Sequence, residues 1–98
     1  MADLKVRVRT WVRGSAAEAR DGLLGYVSVF YGDLIVDGIT LRRTSAGRYA
    51  LSFPQRTSLS GERHALVRPA DTNARLAIER EIFRQLGQRE EFAREDLP

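Results

Sequence analysis

Ninety-eight residues, 43% of them hydrophobic, suit one folded domain and argue against disorder or two independent cores. The net charge is +3, and 15 of the 16 basic residues are arginine, whose planar, permanently charged fork matches phosphate; the codon usage of a G+C-rich genome produces the same bias. With no cysteine and a single histidine, His64, disulfides, cysteine nucleophiles and multi-histidine metal sites are excluded, and no run nears the roughly 20 apolar residues of a membrane-spanning helix.

Leu4 to Arg13 alternates with period two, which predicts a half-buried strand. Leu4, Val6, Val8 and Val12 are expected on one face, and Lys5, Arg7, Arg9, Trp11 and Arg13 on the other. This charged start is unlike a signal peptide's apolar block, and with the missing cysteines it points to the cytoplasm. Residues 14–21 read as a polar connection with room for one helical turn. Leu23–Tyr31 is apolar on both faces, as a central strand would be. Tyr31-Gly32-Asp33 turns the chain into Leu34–Arg43, which Asp37-Gly38 interrupts as a bulge. Residues 44–47 make the next turn, after which Tyr49, Leu51 and Phe53 share one face of a fourth strand.

A loop over 54–62 leads to a short fifth strand, Arg63–Arg68, which Pro69 stops. Asp71 or Thr72 caps a helix that ends near Gly87. Leu76, Ile78, Ile82, Phe83 and Leu86 are its expected apolar stripe, with Arg80, Glu81 and Arg84 outside and an Arg75–Glu79 pair one turn apart. The expected class is α+β: an antiparallel meander of about five strands with one C-terminal helix packed on the sheet. Residues 1–87 form the single domain and 88–98 a charged tail. Residues 89–98 carry −2, so residues 1–88 carry +5.

Two surfaces suit a polyanion. The first joins Arg56, Thr57, Ser58 and Ser60 of the 54–62 loop to the opening of the helix at Asp71-Thr72-Asn73. Free N–H groups at a helix start favour an anion, and such contacts position a nucleic-acid backbone without reading bases. The plainer alternative is that Thr72 and Asn73 only cap the helix and Arg75 pairs with Glu79. The second surface is Lys5, Arg7, Arg9, Trp11 and Arg13, where bases could stack on the indole while arginines track phosphates; the alternative is a solvated face with Trp11 at a dimer contact. His64 lies near Ser58, Ser60 and Glu62, but no third orienting group is identifiable, so catalysis is not expected. No cofactor, metal, membrane or small-molecule substrate is expected either.

Val6-Arg7-Val8-Arg9, the prolines Pro54 and Pro69, Gly61-Glu62 between them, Asp71-Thr72-Asn73 at the helix opening, and Arg75, Ile78, Ile82 and Phe83 on the helix stand in the order of a known pattern. They resemble the stage V sporulation protein G (SpoVG) family of bacterial septation regulators, with an ungapped correspondence from Pro54 to Leu86. The resemblance implies a small homodimer that binds DNA, and in some members RNA, to regulate gene expression and cell division. Its implied contacts fall on Arg56, Thr57, Ser58, Thr72, Asn73 and Arg75. Two positions depart: a Lys-Arg pair becomes Arg56-Thr57, and a strand-ending histidine becomes Arg68. The alternative function is a protein–protein interaction module that regulates through a protein partner without touching nucleic acid.

Overall fold

Val6–Arg13 (β1), Leu23–Tyr31 (β2), Leu34–Arg43 (β3) and Tyr49–Ser52 (β4) form an antiparallel sheet in the order β1-β2-β3-β4. A five-residue helix, Ala16–Arg20 (α1), connects the first two strands; Gln55–Thr57 (β5) and Arg63–Ala65 (β6) pair as a separate ribbon; Thr72–Leu86 (α2) follows. The structure, a computed structural model, describes residues 5–89. Leu4 and residues 90–98 of the expected tail, with Phe92 and Leu97, lie outside the described residues.

The α+β class and the packed C-terminal helix are as expected. The meander proper has four strands, because the chain leaves the sheet at Phe53-Pro54, where proline has no N–H to continue a ladder. The Pro54 carbonyl instead accepts from the Leu66 and Val67 amides at 3.0 and 3.4 Å, closing the ribbon's base. The expected fifth strand is therefore shorter, and it pairs with β5 through Gln55–Ala65, Arg56–His64 and Thr57–Arg63.

β1 departs from simple alternation. Val8 pairs with Val29 but Thr10 with Ser28, so Arg9 is an extra residue in the strand. The bulge reverses the faces beyond it. Trp11 is 7% exposed and belongs to the core, whereas Val12 is 57% exposed. The expected face of Lys5, Arg7, Arg9, Trp11 and Arg13 is thereby broken up. Arg7 remains outside, its guanidinium 4.8 Å from the Phe30 ring centroid.

The bulge expected at Asp37-Gly38 is present: Val27 pairs with Ile39 and Val29 with Val36, leaving one β2 residue opposite two of β3. Gly38 has φ +82° and Pro54 packs 3.7 Å from where its Cβ would be, so the kinked strand meets the ribbon's base there. The β2 residue opposite the bulge, Ser28, donates from its buried hydroxyl to Asp37 at 2.7 Å.

Asp71 is the helix cap, its carboxylate accepting from the Ala74 amide at 2.8 Å. Ile82 and Leu86 are fully buried against Val27, Ile39, Leu41 and Leu51, with Ile78 and Phe83 at the margin. Leu76 is 54% exposed rather than part of the stripe, because at about 100° per residue it lies on the far side from Ile78 and Ile82.

α2 reaches both margins of the sheet. The Gln85 amide accepts from the Val8 N–H at 2.6 Å and donates to the Val6 carbonyl at 2.9 Å on β1. At its other end, Glu79 accepts from the Leu51 N–H at 3.1 Å and Arg75 donates to the Leu51 carbonyl at 2.9 Å on β4. Ten helical residues rise about 15 Å, and three inter-strand spacings span about 14 Å. That match lets one helix supply side-chain partners to main-chain groups that edge strands leave open.

Candidate functional site

The sequence-derived site residues occupy three different settings. Arg56 and Thr57 are exposed on β5, opposite His64 and Arg63. Ser58 builds the ribbon's tip: its amide donates to the Glu62 carbonyl at 2.8 Å, and its hydroxyl accepts from the Glu62 amide at 3.2 Å and meets the Ser60 hydroxyl at 2.9 Å. Thr72 and Asn73 are exposed in the first turn of α2, behind a cap whose carboxylate already answers the helix's positive end.

Arg75 is tied into the scaffold. Besides the Leu51 carbonyl it lies 3.8 Å from the Glu79 carboxylate and 5.8 Å from the centroid of the Phe53 ring. It shares a shallow depression with Gln55 and Arg68, where the ribbon's base meets the helix. His64 is exposed on β6, 3.8 Å from the Glu62 carboxylate.

A larger cleft, about 730 Å³, opens between the sheet's outer face and the ribbon. Thr40, Arg42 and Ser52 line the sheet wall; Gln55, Thr57 and Arg63 line the ribbon wall. No carboxylate lines it, and among the described residues neither guanidinium donates to a hydrogen bond or ion pair. Of the sequence-derived residues only Thr57 lies in this cleft; Arg56, Ser58, Thr72 and Asn73 line neither hollow.

Sequence reading missed Arg42 and Arg63. The available signal was the outward run Thr40, Arg42 on β3, but its facing wall depends on how the ribbon folds back. One row of cross-strand partners, Val12, Tyr26, Thr40 and Ser52, crosses all four strands on this outer face and leads into the cleft. Tyr26 donates its hydroxyl to Glu18 of α1, which lowers the Glu18 carboxyl and raises the Tyr26 phenol from their ordinary values.

No family model, curated protein or solved structure matches this chain. Uncommitted guanidinium forks beside hydroxyls and an amide are equipped to hold oxyanions. Among the described residues, no group of three His, Cys, Asp or Glu side chains gathers as metal ligands, and no helix is long and apolar enough to cross a membrane.

Proposed function

We propose that this chain is a DNA-binding regulator, with RNA as a second ligand class, that works in the cytoplasm as a homodimer and in the manner of the septation and sporulation regulators it resembles. The observation carrying this reading is the gathering of arginines around the ribbon: Arg56, Arg63 and Arg68 against Glu62 alone, with Arg42 facing Arg63 across the cleft. Arg56 and Thr57 supply backbone contacts from the ribbon, with Ser58 shaping its tip and Thr72, Asn73 and Arg75 flanking it on α2. The reading assigns no catalytic step, cofactor or small-molecule substrate.

Fluorescence anisotropy with labelled DNA and RNA over a salt series tests it. Binding should weaken steeply as salt rises, because phosphate contacts release counterions; absence of binding at low salt overturns the reading.

A specific feature favours the second reading, a module that regulates through a protein partner. An apolar hollow of about 350 Å³ opens between α2 and the sheet, with exposed Tyr31, Leu34 and Val67 at its lining. Recovery of a partner protein that survives nuclease treatment, together with no binding to either nucleic acid, would select it.

A further inference from the structure

We propose that the cleft between β3–β4 and the β5–β6 ribbon holds single-stranded nucleic acid, with a phosphodiester between Arg42 and Arg63 and an adjacent base stacked on Tyr26. This inference rests on the nucleic-acid reading above and adds the conformation of the ligand and residues outside the sequence-derived site.

Three observations carry it. Arg42 and Arg63 stand on opposite walls of one recess without a lining carboxylate, so an anion entering it is approached by a guanidinium from either side. The remaining walls offer hydrogen-bonding groups, the Thr40, Ser52 and Thr57 hydroxyls and the Gln55 amide, suited to phosphate and sugar oxygens. Next to the cleft in the same cross-strand row, Tyr26 is 37% exposed and is fixed by its bond to Glu18. An aromatic beside an arginine-lined groove is the arrangement by which sheet faces bind single strands without sequence preference.

A volume of about 730 Å³ falls in the range of pockets that enclose small ligands, roughly 300–1,000 Å³. A duplex holds its phosphates in regular rows on a stiff outer surface, with its bases stacked inside. A single strand can turn a phosphate into the recess and lay the next base on the ring.

The test is anisotropy on a labelled oligothymidylate with the full chain, its Arg42→Gln, Arg63→Gln and Tyr26→Ala variants, and Arg80→Gln as a control on the outer face of α2. Each arginine variant should bind about tenfold more weakly and lower the salt slope by about one. Tyr26→Ala should lose roughly fivefold or more on the oligothymidylate, and little on an abasic strand of equal length. Tyr26→Phe, which keeps the ring, should bind like the parent chain. Melting curves identify any variant that has lost its fold.

Failure of the parent chain to bind any DNA or RNA overturns the nucleic-acid reading and this inference with it. Normal binding by Arg42→Gln and Arg63→Gln, while the parent binds, overturns the cleft alone. A duplex that competes as well as the single strand overturns the single-strand assignment, and equal losses on thymidylate and abasic strands overturn stacking on Tyr26.

Discussion

The indole of Trp11 occupies the space that any side chain on Gly25 would need: a Cβ there would lie 2.4 Å from Cη2 and 2.7 Å from Cζ2 of the ring. The Val12 carbonyl oxygen, only 2.6 Å from the same point, prevents the strand from easing away. Gly25→Ala should therefore displace the buried indole and destabilise the fold by about 1–3 kcal/mol, the usual range for overpacking. Urea denaturation checks this, and an unchanged midpoint would refute the packing described.

Gln85→Leu keeps much of the side chain's volume but leaves the Val8 N–H and Val6 carbonyl without their partner on α2. The cost should be about 1–3 kcal/mol for unsatisfied, part-buried groups. The opened edge of β1 should also favour association between chains. Denaturation and light scattering on the same samples read both effects.

Arg56→Ala and Arg75→Ala should behave differently. Arg56 is exposed on the ribbon, so its loss should leave the midpoint unchanged while weakening nucleic-acid binding and reducing the salt slope by about one. Arg75 is bonded to Leu51, so its loss should cost about 1 kcal/mol of stability before any effect on binding. Paired melts and anisotropy titrations separate the two.

Arg84, and after it Gln85, hydrogen-bond the Glu81 carboxylate and hold its pKa down at about 2. A depressed carboxyl stabilises the fold above its unfolded value, near the ordinary 4.5, and that contribution fades as pH falls through about 2. The melting temperature of the parent chain should exceed that of Glu81→Gln at pH 6, and the difference should shrink through the acid range. A constant difference would count against the Glu81 charge.

Much of the scaffold was legible in the residues. Leu23–Tyr31 and Leu34–Arg43 carry their own apolar patterns and turn signals, Gly38 marks its bulge, and Asp71 announces the helix. The bulge at Arg9 was not legible, since VRVRTWVR contains no glycine or proline to mark an extra residue. Alternation alone therefore put Trp11 and Val12 on the wrong faces. The cleft was hidden for another reason: Arg42 and Arg63 share it only because Pro54 diverts the chain and leaves Thr57 and Arg63 of the ribbon facing Thr40 and Arg42. Arg75 could be paired with Glu79 by helical spacing, but their common partner, Leu51, is known only from the packing.

Light scattering at micromolar concentration should give the mass of a dimer, and a monomeric mass would remove the homodimer from the proposed function.

The reach of α2 to Leu51 and to Val6–Val8 bears on how such a dimer is built. At those places the sheet's outermost hydrogen-bonding positions are already filled by the chain's own side chains. A second molecule therefore cannot extend the sheet there by laying a strand alongside. A dimer built instead on exposed apolar side chains would weaken on Leu34→Ser more than on substitutions that alter the main-chain ladder.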